Sequence, residues 1–377
     1  MKISSVRTGR SSVARALAAV VALAAAAGTC GLQAQPVGRY GAVELARFDE
    51  PGLSTVVRRI NTLREVAGGF GRADLRRASA ATILTATGPI GVAADQATDH
   101  SVAHDINDQG EVAGAFNGPT ALRPFRSVRR SAFLELALLP GDTGGAAFAM
   151  NEAGEAVGYS SGSAGERAVW WTRLGAVREL PGLPGATGTR ALAANLRGDV
   201  VGASGDAPRR AVLWPARGAP VDLGTLAGFV DSEAVAINER GQIVGTATGT
   251  DGAPYRSRAV LWGAGGQPAR DLGTLNGAAD SRARDINARG EVVGTSAAAG
   301  SSRAFVWTAG AGMVDLNTLV SLPGLVLIDA LGINRNGEIV AVAQEQHTHA
   351  PGAPEQHGDH ELPRRVLVLT PTPSPAR

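Results

Sequence analysis

The sequence has almost no cysteine and almost no lysine. Its 377 residues include one cysteine, Cys30, and one lysine, Lys2. A single cysteine excludes an internal disulfide framework, so the fold has to be stabilised by packing and topology. Aromatic residues make up only 4% of the chain, and the 50 glycines favour many tight turns over long helices.

The longest apolar run lies near the N-terminus. Four basic residues precede residues 16–28 (ALAAVVALAAAAG), a run with the length and flank of a secretory signal peptide. It is too short for a transmembrane helix, which needs about 20 residues. We predict a signal peptide over residues 1–34, no membrane span in the mature chain, and a secreted protein, extracellular or periplasmic. A lipidation site at Cys30 is the alternative, which Thr29 disfavours.

The charge balance gives no sign of a nucleic-acid partner. The whole chain has 36 basic and 34 acidic residues, but four of the basic ones lie in residues 1–34. The remainder therefore has 32 basic residues against 34 acidic ones, a net charge of −2. No strongly basic surface is expected, and this excludes the usual electrostatic footprint of nucleic-acid binding.

A repeat fills almost all of the remaining chain. Its landmark is an asparagine that recurs every 43 to 49 residues, as Asn61, Asn107, Asn151, Asn195, Asn238, Asn287 and Asn334. Three residues later stands Gly110, Gly154, Gly198, Gly241, Gly290 or Gly337, with Arg64 in the first copy. Asparagine closes an Asx turn and glycine supplies a positive φ, so each pair predicts a structural hairpin turn.

The segments around each turn have the pattern of β-strands. The flanks of the turn are β-branched and too short for a helix. Two more apolar segments follow, such as RAVLW at residues 258–262 and RDLGTL at residues 270–275. Four short strands with glycine, aspartate and proline between them form one sheet, and a period of about 40–50 residues is typical of a propeller blade.

The repeat also resembles a known family. The combination INxxGxVVG, xAFxW and DLGTL is similar to the HAF family of probable extracellular repeats, named for a His-Ala-Phe triplet. That triplet stands here as Arg303-Ala304-Phe305 and Ser131-Ala132-Phe133, without the histidine. The resemblance covers roughly residues 40–370 and is strongest over residues 195–319. It implies an extracellular address and assigns no activity.

Seven copies predict a closed ring. Residues 41–48 (GAVELARF) resemble a fourth strand with no copy before it, and residues 365–369 (RVLVL) resemble a third strand with no fourth. Pairing them completes the last blade. We predict an all-β fold, a seven-bladed β-propeller with four-stranded blades over residues 40–371, followed by a disordered proline-rich tail at 372–377. An open or differently counted ring is the alternative, because the first copy is degenerate.

A histidine-rich segment is the main candidate for metal chemistry. His347, His349, His357 and His360 offer ligands for Zn²⁺ or Cu²⁺. The alternative is a solvated loop that binds metal adventitiously, since histidine-rich tracts do so readily. No cofactor is otherwise predicted. His100 and His104, with Asp99 and Asp105 among them, form a second metal or acid–base candidate, with a polar cluster at a blade edge as the structural explanation.

Three further patterns have a structural explanation that we favour. GYSSG at residues 158–162 matches a nucleophile elbow, but sibling copies read GAS and GTS there, which favours a strand. The aspartates of DLGTL suggest local turns rather than calcium ligands. Carbohydrate stacking is the alternative to a core role for the tryptophans Trp170, Trp171, Trp214, Trp262 and Trp307. Among these, Trp171 is interpreted as the extra residue and the best candidate for exposure.

Few residues that could act as acids, bases or metal ligands differ between the copies of the repeat. This favours a binding or scaffold module over an enzyme. We expect a monomer whose ligand, an envelope or extracellular protein or carbohydrate, meets the loops at one mouth of a central channel. A lyase or hydrolase with its site at that mouth is the second hypothesis. A structural surface protein without a small ligand is the third. An enzyme would place acid, base or metal groups at equivalent positions in some blades only.

Overall fold

The chain forms seven four-stranded antiparallel sheets arranged as the blades of a β-propeller. The structure, a computed structural model, describes residues 37–48, 53–72, 80–92, 100–128, 132–249, 256–346 and 364–373. Within these ranges it has 28 β-strands and one short 3-10 helix, Leu316–Thr318. The predicted seven-bladed all-β fold is confirmed.

Blades 1 to 6 each use four consecutive strands. Blade 1 contains β2 to β5 (Leu53–Ile60, Val66–Arg72, Ala80–Thr85, Gly88–Gly91), and blade 2 contains β6 to β9 (Ser101–Ile106, Val112–Asn117, Leu122–Val128, Ala132–Glu135). Blade 3 contains β10 to β13 (Gly144–Met150, Ala156–Gly162, Gly165–Trp171, Val177–Glu179), and blade 4 contains β14 to β17 (Thr189–Ala194, Val200–Ser204, Arg210–Trp214, Val221–Asp222). Blade 5 contains β18 to β21 (Asp231–Ile237, Ile243–Thr248, Ser257–Trp262, Arg270–Asp271), and blade 6 contains β22 to β25 (Asp280–Ile286, Val292–Ala298, Ser301–Thr308, Gly312–Asp315).

Blade 7 closes the ring by combining the first strand of the chain with the last three. It contains β26 to β28 (Leu325–Ile333, Ile339–Glu345, Arg364–Pro371) and, as its fourth strand, β1 (Tyr40–Phe48). β1 runs antiparallel to β28, with Val43 opposite Val368. The predicted closure by the N-terminal strand is confirmed.

The first strand of each blade is the innermost and lines the central channel. Neighbouring inner strands contact one another around the ring, including β26 of the last blade with β2 of the first. Small residues allow this approach: Ala103, Ala147, Ala191 and Ala234 are fully buried in four successive inner strands. Their repetition explains the alanine-rich composition.

The core consists of seven apolar clusters, one at each junction between adjacent blades. Strand register places Trp171 opposite Ala156, the position that Trp214, Trp262 and Trp307 occupy in their own blades. The expectation that Trp171 is exposed is wrong. Its ring is fully buried, and its Nε1 donates to the carbonyl of Ala137 at 2.6 Å. Trp170 is the extra tryptophan, and it too is buried.

The ends of the propeller lie close to each other. Thr372 donates from its backbone N–H to the carbonyl of Arg39 at 2.8 Å. The predicted signal peptide and residues 374–377 of the predicted tail lie outside the described residues. Across the part of the chain that is described, no helix has the length and hydropathy to cross a bilayer.

Candidate functional site in the central channel

Each inner strand ends in a turn built around the landmark asparagine. In blade 5, the Oδ1 of Asn238 accepts from the backbone N–H groups of Arg240 and Gln242, both at 3.0 Å. Gly241 has a φ of 76°. The equivalent glycines of the other copies also have positive φ, namely Gly110, Gly154, Gly198, Gly290 and Gly337. In the first copy Arg64 adopts a φ of 64°, a left-handed conformation that is unfavourable for a residue with a side chain.

The same asparagines form a closed hydrogen-bonded circuit around the channel. Each side-chain Nδ2 donates to the backbone carbonyl of the landmark asparagine in the next blade, at 2.9 to 3.5 Å. The last contact joins Asn334 to Asn61. We call these seven residues, Asn61, Asn107, Asn151, Asn195, Asn238, Asn287 and Asn334, the Asn ring. All seven are buried, so these hydrogen bonds are shielded from water.

A β-bulge precedes each turn and adds one residue to the channel wall. In blade 2, Ala103 lies opposite Gly114 and Asp105 opposite Ala113, so His104 has no partner residue. The corresponding residues of all blades are Arg58, His104, Phe148, Leu192, Val235, Arg284 and Leu331. We call these seven residues the bulge ring.

Glycine in the second strand makes room for the bulge. A Cβ added to Gly202 would lie 1.9 Å from the carbonyl oxygen of Arg190, and Gly114, Gly158, Gly245 and Gly294 show the same clash at 1.9 to 2.1 Å. These are the glycines seven residues after the landmark asparagine. In blade 7 the position is Ala341, and there the inner strand has two register shifts instead of one.

A cavity of about 440 Å³ occupies the channel, and all seven bulge-ring residues line it. It lies toward the strand ends remote from the Asn ring, since Asp231 at the start of β18 and Thr248 at the end of β19 are part of its wall. We call it the large cavity. Its volume is within the range of roughly 300–1,000 Å³ that small-molecule sites have.

A smaller cavity of about 180 Å³ lies next to it, and Arg59 lines both. Arg59 forms an ion pair with Asp285 of blade 6, and its Nη2 donates to the carbonyl of Val235 in blade 5 at 3.3 Å. Burial lowers the pKa of the Arg59 guanidinium, but the negative charges of Asp285 and Asp105 raise it by more. The pKa of Arg59 is therefore raised overall. A side chain from blade 1 therefore spans the channel between the two cavities.

The carboxylates of the small cavity are engaged by backbone amides. Asp105 accepts from the N–H of Met150 at 2.9 Å and from that of Ile106 at 2.9 Å, which joins blade 2 to blade 3. Burial raises the pKa of Asp105 to about 6, although Arg59 and these amides act in the opposite direction. Burial also raises the pKa of Glu152 to about 7, with repulsion from Asp105 adding to it.

His104 is a neutral member of the bulge ring. Burial lowers its pKa to about 4, despite a hydrogen bond between Nδ1 and the carbonyl of Ala147 at 2.9 Å. Because a carbonyl only accepts, Nδ1 carries the proton and Nε2 is left as an acceptor. The imidazole lies 5.3 Å from the ring of Phe148, which in turn lies 5.4 Å from that of Tyr159.

The histidine candidates from the sequence meet different outcomes. His100 is exposed just before β6, whereas His104 lines the large cavity and Asp105 the small one. The described residues hold no cluster of three or more side chains arranged to bind a metal ion. His347, His349, His357 and His360 lie outside the described residues.

The serine of GYSSG is part of the blade framework. Ser160 is fully buried within β11, where its Oγ accepts from the N–H of Leu139 at 3.0 Å and donates to Asp142 at 2.6 Å. Ser204 and Ser296 accept from backbone amides in the same way. Ser160 therefore does not stand at the strand-to-helix turn that a nucleophile elbow requires.

An arginine of the third strand pairs with an acidic residue of the fourth strand in several blades. Arg210 in the third strand of blade 4 pairs with Asp222 of DLGTL at 3.1 Å, and Asp222 also accepts from the N–H of Gly224 at 2.8 Å. Blade 7 repeats the pair across the closure, from Arg365 to Glu44 at 3.1 Å. Sequence reasoning missed these pairs because the two partners lie on different strands.

Comparisons with known proteins agree with this fold. A search of family models gives no match, and neither does a search of curated proteins. A solved streptogramin B lyase structure is similar at a TM-score of 0.51 and 10% identity, over 89% of this chain and 98% of that one. A virginiamycin B lyase from Staphylococcus aureus gives 0.50 and 11%, over 88% and 99%. The GH74 xyloglucanase from Xanthomonas campestris gives 0.52 and 10%, over 83% and 55%.

At these identities the likeness shows the fold alone. The chain is a seven-bladed β-propeller with a cavity in its central channel.

Proposed function

We propose that this protein is an exported binding module of the HAF type that holds a small ligand in the large cavity. The basic and apolar N-terminal residues support export, and the INxxGxVVG and DLGTL motifs support membership of the family. The propeller places loops and inner strands of all seven blades around one concave site.

The bulge ring is the observation that carries this proposal. Two nearby positions are nearly uniform among the copies: the residue directly before the bulge ring is alanine in six blades, and the residue two positions after it is isoleucine in five. The bulge ring itself contains two arginines, a histidine, a phenylalanine and three aliphatic residues. Packing accounts for the uniform positions, whereas different side chains around one cavity allow recognition of an asymmetric ligand.

A lyase or hydrolase is the second candidate, and the raised pKa values of Asp105 and Glu152 favour it. However, both carboxylates accept hydrogen bonds from backbone amides. Asp105 accepts from two backbone amides, and Glu152 accepts from the N–H of Asp108 at 3.0 Å. Carboxylates that hold neighbouring blades together are poorly placed to exchange protons with a substrate, so binding is the function we prefer.

A ligand panel with a blocked cavity tests the proposal. Anionic, neutral and cationic small molecules, including oligosaccharides, are screened by thermal shift against the wild type, Leu192→Trp and Leu174→Trp. Leu192 lines the large cavity, whereas Leu174 is 96% exposed, so the second variant controls for the added tryptophan. We expect compounds that stabilise the wild type and Leu174→Trp but leave Leu192→Trp unchanged. Equal shifts in all three proteins, or no shift in any, contradict the proposal.

Export is tested separately. The full chain is expressed with its N-terminus intact in a Gram-negative host, and the periplasmic and extracellular fractions are analysed by intact-mass spectrometry. We expect a protein that begins near residue 35. Retention of the complete chain in the cytoplasm contradicts export.

A further inference from the structure

We propose that the large cavity takes a small organic anion, with its acidic group held by Arg58 and Arg282 and its apolar part against Phe148 and Leu192. The acidic group is a carboxylate or a phosphate monoester. This inference rests on the proposed binding function and names the chemical class of the ligand.

Positive charge predominates in the wall of the large cavity. Five arginines line it, namely Arg58, Arg59, Arg209, Arg282 and Arg284. Only two carboxylates do so, Asp231 and Glu233. The charge is local, since the chain as a whole carries a net charge of +2.

Three of the five arginines have anionic partners. Arg59 pairs with Asp285, Arg284 with Asp329 at 2.9 Å, and Arg209 with Glu233 at 3.7 Å.

The other two arginines lack such partners. Among the described residues, neither Arg58 nor Arg282 has a carboxylate within ion-pair distance. Both side chains are exposed while lining the cavity, so their donors are available to a ligand. A guanidinium offers five donors in a planar fork that matches a carboxylate or a phosphate.

The electrostatics of Arg58 favour a bound anion. Arg58 keeps solvent-accessible surface, yet the surrounding protein removes part of its hydration and so lowers the pKa of its guanidinium, and repulsion from Arg284 and Arg59 lowers it further. An arginine remains protonated under these conditions, so the guanidinium of Arg58 stays positively charged and is repelled by Arg284 and Arg59. An anion beside Arg58 would offset that repulsion, because an opposite charge nearby favours the charged form.

The rest of the wall suits an apolar group. Phe148, Leu192 and Val235 stand on blades 3, 4 and 5, on the side of the channel opposite blades 6, 7 and 1. His104 lies beside Phe148 and, as a neutral imidazole, presents an acceptor nitrogen for a ligand O–H or N–H. Arg58 and Arg282, on blades 1 and 6, together with the apolar side chains of Phe148, Leu192 and Val235, on blades 3 to 5, suit a ligand with one acidic end and one apolar end.

Calorimetric titration with four simple probes tests this inference. Benzoate and phenyl phosphate are the anions, benzyl alcohol is the neutral analogue, and benzylamine is the cation. Each is titrated into the full-length wild type, the double variant Arg58→Gln/Arg282→Gln, and the control Arg217→Gln/Arg240→Gln. The control removes two charges at exposed positions outside the cavity wall.

We expect both anions to bind the wild type and the control alike, with affinity at least about tenfold weaker in the double variant. Added sodium chloride should weaken anion binding and leave benzyl alcohol unaffected. The ratio of benzoate to phenyl phosphate affinity identifies the preferred acid. Should the double variant not fold, Arg282→Gln alone replaces it, because Arg282 has no described partner to lose.

Equal anion affinity in the wild type and the double variant overturns the inference, as does benzylamine binding as tightly as benzoate. Binding of benzyl alcohol alone, with loss in Leu192→Trp, overturns the anion inference but leaves the proposed function standing. If none of the four probes binds the wild type, the anion inference is overturned, whereas the wider ligand panel with Leu192→Trp decides the proposed function.

Discussion

The side-chain amide of Asn334 donates a hydrogen bond to the backbone carbonyl of Asn61 at 2.9 Å, across 273 residues of sequence. This contact closes the Asn ring, and it joins the seventh blade to the first at the inner edge of the propeller. The Arg365–Glu44 pair joins the chain ends at the outer edge. The ring is thus fastened both at the channel and at the rim.

Asn238→Asp removes the ring hydrogen bond and keeps the side-chain oxygen that forms the turn. Aspartate retains the turn-forming oxygen but loses the Nδ2 donor to the carbonyl of Asn287. Asn238 is the best position because its Nδ2 also donates to the side chain of Gln242, whose amide can turn its NH2 toward an aspartate, whereas all six other blades have a carboxylate there. We expect a loss of about 1–3 kcal/mol in the free energy of unfolding, measured by urea denaturation. Asn276→Asp, at an exposed turn, is the control and should change little. A ring without energetic value would give equal stability for both variants.

Gly202→Ala tests the space that the bulge requires. The added Cβ would meet the carbonyl oxygen of Arg190 at 1.9 Å, so the strands must move apart, with an expected cost of about 1–3 kcal/mol or more. Gly41→Ala is the matched strand variant, where the new Cβ meets only Thr372 at 3.9 Å. Thermal unfolding should show a large loss for the first and little change for the second. Similar melting temperatures would argue against the bulge geometry.

Two equivalent tryptophans differ in one hydrogen bond. The Nε1 of Trp214 donates to the carbonyl of Pro181 at 2.6 Å, whereas the buried Nε1 of Trp262 has no partner among the described residues. Trp214→Phe should therefore cost about 1 kcal/mol more than Trp262→Phe, because only the first leaves a carbonyl unpaired. Denaturant titration of the two variants measures the difference. A greater loss for Trp262→Phe would show that its N–H is satisfied in solution.

The environment of His104 makes stability depend on pH. Its pKa is about 4 in the folded protein against 6.5 for an unperturbed histidine, so between these values the unfolded chain binds a proton that the native state does not. The contribution of His104 therefore falls as pH falls from 6.5 to 4. His104→Gln, which retains a donor for the carbonyl of Ala147, should lose less stability over this interval than the wild type.

Denaturation at pH 7 and at pH 4.5 measures this difference. His100→Gln, at an exposed histidine outside the cavity, is the control. The same acid sensitivity in the wild type and His104→Gln would contradict the burial of this imidazole.

The sequence predicted the architecture because each blade repeats its turn chemistry. Asn238 and Gly241 mark the hairpin, and the incomplete copies at the two ends of the repeat point to β1 and β28 as partners. The tryptophan assignment was wrong because Trp170 and Trp171 are adjacent. A shift of one residue moves a side chain to the other face of a strand, and varying loop lengths hid the register against Ala156.

The channel site was missed for a related reason. In a regular strand, consecutive residues such as His104 and Asp105 point to opposite faces of the sheet. The bulge in β6 lets both side chains face the channel. A signal was present: the buried Ala103 and Ile106 are three residues apart, which a regular strand does not allow on one face. Which side chains line one cavity with Arg58 and Arg282 depends on how the blades are arranged around the channel, and no local pattern carries that information.

The most direct test of a binding propeller is a crystal structure of the protein with phenyl phosphate. We expect the phosphate to contact Arg58 and Arg282 and the phenyl ring to pack against Phe148, inside a closed ring of seven blades. A channel filled only with solvent while the compound lies elsewhere on the surface would contradict it.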